Sequence, residues 1–174
     1  AALAVKENKN ISEVSVREVQ NVILDAKGYL LPYLDVAMDH PMFKSLQRVG
    51  STGILKGIGK SVDWANQTWF RADTLLLANE LEGLRDVYPF VDKQNFEGNN
   101  TISIQKAVEM IEGIAEKESI ELKKGRIEEI WSEFGLKDLD MNRNILRGEM
   151  AILIDQILDP FNNKKIDITG QYIQ

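Results

Sequence analysis

Asp138, Asp140, Asn142 and Glu149 are oxygen donors spaced as positions one, three, five and twelve of a calcium loop. Ile145 is the apolar eighth residue of that stretch, and helices are predicted on both sides. Together they imitate an EF-hand. Position six is Arg143, where such a loop needs glycine for its sharp turn. The competing reading is a polar turn, in which Asn142 or Asn144 tolerates a left-handed backbone angle and helps to start the next helix.

Three other groups could carry chemistry. Gly53-Ile54-Leu55-Lys56-Gly57-Ile58-Gly59 is rich enough in glycine for a phosphate loop, but it lacks the Lys-Ser/Thr pair and the three-glycine fingerprint after a strand. It reads as a turn. His40 is the only histidine, so no metal site can use two. Its place between Asp39 and Pro41 suits a helix start, where it can bond a free backbone group. Trp64, Trp69 and Trp131 with Phe70 could form a sugar-stacking platform; Trp131 falls on an apolar helix stripe and belongs in a core, whereas Trp64 and Trp69 sit in a loop. Elsewhere the carboxylates lie mostly off the apolar stripes, as on a solvated helix face.

These residues sit in a chain of 174, large enough to bury a core without staples. With no cysteine, disulfides, thiolate metal sites and a thiol nucleophile are all excluded. A net charge of −6 argues against a general nucleic-acid binder, because phosphate neutralisation needs a basic face. No apolar run reaches the length of a membrane span.

Periodicity predicts a mostly α protein. Ala1 to Val5 starts inside an apolar helix pattern with no cap, as the end of a truncated upstream domain would. Ser15-Val16-Arg17-Glu18 is a capping box, the helix behind it has the stripe Val16, Val19, Ile23 and Ala26, and Gly28 stops it. Asp39-His40-Pro41 starts a helix carrying Phe43, Leu46, Val49 and Gly50. After a polar loop, a central helix is expected from Arg71 to about Leu84, apolar most of the way round. Residues 89–100 form a boundary. Thr101 opens the most regular helix, with Ile104, Ala107, Val108, Ile111, Ile114 and Ala115 on one face. Ile127, Ile130, Trp131 and Phe134 define the next helix, closed by Gly135. The last runs from Arg147 to Leu158. The tail carries Ile166, Ile168 and Tyr172-Ile173, as an extended strand would.

Two segments rhyme at a period of roughly 75 residues. Trp69-Phe70-Arg71-Ala72-Asp73 and Ile145-Leu146-Arg147-Gly148-Glu149 each open a helix that runs on to an aspartate and Pro-Phe. Leu34-Asp35-Val36, His40-Pro41, Gly53-Ile54-Leu55-Lys56-Gly57 and Phe70-Arg71-Ala72-Asp73 resemble, in order, the landmarks of a surface-layer-homology (SLH) repeat. Leu146-Arg147-Gly148-Glu149 resembles the closing motif of a second. In that motif a threonine caps the helix and an acid three residues on completes the box. Phe70 and Leu146 replace the threonine here, while Asp73 and Glu149 remain. The resemblance implies a helical bundle of two SLH-like units, residues 31–90 and 91–174, behind an N-terminal helical segment over 1–30. It also implies an extracytoplasmic setting, and a cell-wall glycan as partner for Arg71, Arg147 and Trp64 or Trp69.

A closer resemblance is to the C-terminal region of bacterial FAD-dependent oxidoreductases, in Ala1 to Val5, Ser15 to Leu30, His40-Pro41 to Trp69-Phe70, and Arg147 to Phe161. It implies a non-catalytic accessory domain whose partner is the upstream flavin domain of the same chain. FAD would belong to that domain, and no catalytic, cofactor or metal residue is assigned in this stretch.

Overall fold

A computed structural model describes residues 14–62, 65–162, 165–166 and 172–173. The expected helix tail over residues 1–8, Trp64 and Ile168 lie outside the described residues. The protein is mostly helical, with six α-helices among the described residues. None of its helices there is long and apolar enough to cross a membrane. The chain forms two compact units, one from Ala1–Leu30 with Asp159–Gln174, the other from Leu31–Leu158.

In the first unit, α1 (Val16–Asp25) begins at the predicted box. The Glu18 amide donates to Ser15 Oγ at 3.1 Å, and the Ser15 amide donates to Glu18 Oε2 at 2.7 Å. The buried positions are Gln20 and Leu24, whereas Ile23 of the expected stripe is 37% exposed. At the far end it is Lys27 that takes the left-handed angle (φ 58°), and the Gly28 amide returns to the Ile23 carbonyl at 2.8 Å. Arg17 pairs with Asp159 at 3.3 Å. The tail pairs antiparallel as β3 (Lys165–Ile166) and β4 (Tyr172–Ile173).

The larger unit starts with α2 (Phe43–Ser51), whose predicted stripe is buried throughout. The "polar loop" that follows is a hairpin, β1 (Ile58–Val62) against β2 (Ala65–Trp69), with Ile58 opposite Trp69. Its alternation is weak, because Gly59, Lys60, Asn66 and Gln67 supply few apolar positions, and pattern reading passes over such strands. The expected helix from Arg71 also differs. Arg71 adopts φ 57°, which ends regular structure there, and the Asp35 carboxylate fixes it by accepting the Phe70 and Arg71 amides at 2.8 and 2.6 Å. Helical structure resumes only as a 3₁₀ turn at Ala78–Leu81, followed by the short α3 (Gly83–Val87). A second 3₁₀ turn spans Lys93–Phe96.

Next come α4 (Ile104–Lys117), with its whole predicted face buried, α5 (Arg126–Glu133) and α6 (Arg147–Leu153). The element buried on every side is α6, not the segment around Leu75, which is 46% exposed. A π-turn over Ile154–Leu158 continues α6. Helix α2 packs on α6 and the π-turn, α4 on the π-turn, and α5 on α6.

Three helix starts meet at one hub. The residues before the first helical position are Leu77, Ser103 and Leu146. Leu77 pairs with Thr101, Ser103 with Asn144, and Leu146 with Leu75. Each helix entry therefore bridges to the residue two before the next entry, and the third returns to the first. The first helical amides follow the same rule: Ala78 donates to Asn100 O, Ile104 to Arg143 O and Arg147 to Thr74 O, at 3.0, 2.8 and 2.9 Å. The residues between, Leu76, Ile102 and Ile145, are buried where the arms meet. The amides that a helix start leaves open are thus used to join the arms.

Candidate functional site

The hub sets the surroundings of Arg147. Its side chain is 1% exposed and threads back between the first and third arms. Nε donates to the Phe70 carbonyl at 2.9 Å, Nη2 to the Lys56 carbonyl at 2.6 Å, and Nη1 to the Glu80 carboxylate. The guanidinium also lies 5.4 Å from the Phe70 ring centre, a cation–π distance. Burial pushes the Arg147 pKa down, and the Glu80 charge opposes that. Gly148 lets this helix start approach: its amide donates to Ala72 O at 2.9 Å, and a Cβ there would sit 3.0 Å from the Ala72 Cβ.

Glu80 and Glu149 play one backbone role. Each carboxylate accepts the amide of the residue three before it, Leu77 at 3.0 Å and Leu146 at 2.8 Å. The segment equivalent to Leu146–Glu149 is therefore Leu77-Ala78-Asn79-Glu80, seven residues beyond Phe70–Asp73. Both starts keep the acidic half of the capping box and lack the hydroxyl half. Ser103 supplies a hydroxyl in the remaining arm, accepting from the Lys106 amide at 3.2 Å.

The remaining predicted groups are placed as follows. Arg71 is exposed and borders a hollow of about 160 Å³ with Asp35, His40 and Asp73. Arg147 is close enough to feel the charge of Arg71, yet it is enclosed while Arg71 faces solvent. Trp69 is half-buried at the end of β2. His40 Nδ1 accepts the Met42 amide at 3.2 Å, just before α2. Trp131 is core, with its indole N–H on the Lys137 carbonyl at 2.6 Å. Gly53–Gly59 leads into the strand β1, whereas the loop of a phosphate cradle runs on into a helix whose first amides face the phosphate.

At the calcium-like loop, Arg143 answers Glu149 with two bonds of 2.8 and 2.9 Å and also reaches the Asp138 carbonyl. That pairing raises the Arg143 pKa, chiefly through the hydrogen bond it donates to Glu149. Both oxygens of the twelfth-position carboxylate are thus engaged by a cation. No group of three or more His, Asp or Glu side chains among the described residues is arranged to hold a metal. Millimolar calcium and chelator should therefore leave the melting temperature unchanged; a rise of several degrees with calcium would contradict this arrangement.

Sequence reading missed two features. One is a buried charge cluster beside the π-turn. Asp155, 1% exposed, accepts from Ser45 Oγ at 2.6 Å, from Arg48 Nε and Nη2 at 2.8 and 2.6 Å, and from Gln156 Nε2 at 2.8 Å. A polar residue at the inner position of each helix was the available signal. The other is Tyr33, whose hydroxyl fits against Gly50 so closely that a Cβ on Gly50 would land on it. Burial raises the Tyr33 pKa to about 12 from 10.0, with Arg147 pulling the other way. Between about pH 10 and 12 the unfolded chain releases this proton while the folded chain keeps it, so stability falls as pH rises. Alkaline denaturation should weaken by about 2–3 kcal/mol in Tyr33→Phe relative to wild type across that window. An ultraviolet titration should lose one late-ionising phenol in Tyr33→Phe.

No protein-family model, curated protein or solved structure matches the chain.

Proposed function

We propose that this chain is a non-catalytic accessory module made of SLH-like units and attached to a FAD-dependent oxidoreductase, where it serves assembly, covers the active site or holds substrate. The observation that supports the reading best is the hub. Leu77–Glu80 and Leu146–Glu149 start helices in the same way, and Ser103–Lys106 contributes a third start with the hydroxyl cap that the SLH motif uses. On this reading the chain has three helix-capping arms, one more than the spacing of the rhyming segments predicts.

The side chains of the hub support a structural role. Arg147 spends its donors on two carbonyls and a carboxylate, and Glu149 spends its oxygens on Arg143 and Leu146. Groups so engaged hold segments together, and charges locked in such pairs are poorly placed for acid–base work.

The reading is tested by the gene and by flavin. The coding sequence upstream of Ala1 should contain a glycine-rich dinucleotide fingerprint, and the longer product should purify yellow. The 174 residues alone should bind no FAD in equilibrium dialysis. Stoichiometric flavin on the isolated chain, or an upstream region without such a fingerprint, would overturn it.

A further inference from the structure

A cleft of about 610 Å³ opens in the larger unit beside α3 and the 3₁₀ turn at Lys93–Phe96. That is within the range of small-ligand sites. Phe96, 2% exposed, lies in its wall. Lys56, Arg85 and Lys93 bring three cations to the cleft, and Glu82, Asp86 and Glu97 bring three carboxylates. None of these six side chains forms an ion pair or hydrogen bond among the described residues. Elsewhere in the unit Arg48, Arg126, Arg143 and Arg147 each find a carboxylate, while Arg71 faces solvent.

Arg85 is the most telling of the six. Its Nε is buried and has no acceptor. A guanidinium N–H withdrawn from water without a partner is unfavourable by about 1–3 kcal/mol. The chain provides no acceptor among the described residues, although three carboxylates border the same cleft. A carboxylate arriving from outside matches the Nε–Nη edge of arginine in shape and charge, and it reaches the covered Nε once the side chains over it shift.

The other groups narrow the ligand. Three cations and three carboxylates leave the cleft without net charge, so a ligand that carries both signs matches it better than a dianion such as phosphate. Asn79 Nδ2 donates to Asn99 Oδ1 at 2.9 Å. This bond leaves Asn79 Oδ1 as an acceptor and Asn99 Nδ2 as a donor, the pair that one peptide group requires. We infer that the cleft binds a short zwitterionic peptide, with its terminal carboxylate on Arg85, a peptide group on Asn79 and Asn99, and its ammonium among Glu82, Asp86 and Glu97. This site is independent of the accessory-module reading.

Calorimetric titration of the 174-residue chain with trialanine tests it. One saturable site is expected, weakened about tenfold or more when the C-terminal carboxylate is converted to the amide. Arg85→Gln should bind trialanine and its amide equally weakly. Glu97→Gln, at an exposed position, should weaken trialanine but not its N-acetyl derivative, which provides a second readout if Arg85→Gln folds poorly. Absence of saturable binding, equal binding of the acid and the amide by the wild type, or equally tight binding of inorganic phosphate would overturn the inference.

Discussion

Arg147→Met should unfold about 3 kcal/mol more easily than wild type, toward the lower end of the range for breaking a buried ion pair. The change strands the carbonyls of Phe70 and Lys56 and the carboxylate of Glu80. Glu80 is 21% exposed on its side-chain surface and can recover some hydration, which limits the loss. Arg147→Lys should restore little, because a single ammonium cannot reach three acceptors placed for a planar fork. Pairing Arg147→Met with Glu80→Leu should recover part of the loss, since it removes the orphaned charge. Urea midpoints at constant slope provide the measurement. A single variant within about 1 kcal/mol of wild type would show that the arginine is dispensable for joining the arms.

Asp155→Ala should do more damage, about 4–5 kcal/mol. Here both partners are enclosed, with side-chain exposures of 9% for Arg48 and 1% for Asp155. Truncation leaves a buried guanidinium and removes the acceptor for Ser45 and Gln156. Water cannot rehydrate Arg48 without opening the contact of α2 with the π-turn. The double variant Arg48→Met with Asp155→Leu should be far less damaging than Asp155→Ala alone, because an apolar pair of similar bulk carries no desolvation cost. Guanidinium unfolding of wild type, Arg48→Met, Asp155→Leu and the double variant completes the cycle. Additivity of the two single effects would mean that the charges do not interact.

Much of the helical core could be read from residue order. The stripe from Ile104 to Ala115, the Ser15 box and the buried face of α2 follow from spacing and capping chemistry alone. The reading failed where a distant residue decided the local conformation. Phe70–Asp73 has the pattern of a helix start, but Asp35, thirty-odd positions away, captures two of its amides, and the working start lies at Leu77. The hairpin was hidden because few of its residues are apolar. The glycan residues named from family likeness are divided between the inside and the outside of the protein, with Arg147 enclosed and Arg71 in solvent. Spacing places an arginine on a helix; it does not say whether neighbouring carbonyls converge on it. Arg85 was not noticeable as a residue, since its significance comes from an acceptor that the chain does not provide.

Because each arm of the hub clasps the next and the last clasps the first, the ring has no partial form that satisfies all its members. Its final piece, Asn144–Arg147, is made some seventy residues after Leu75. Until then the first two arms can meet each other but not finish the loop. The contact that completes the ring therefore joins residues some seventy positions apart, the kind of separation that slows a folding search.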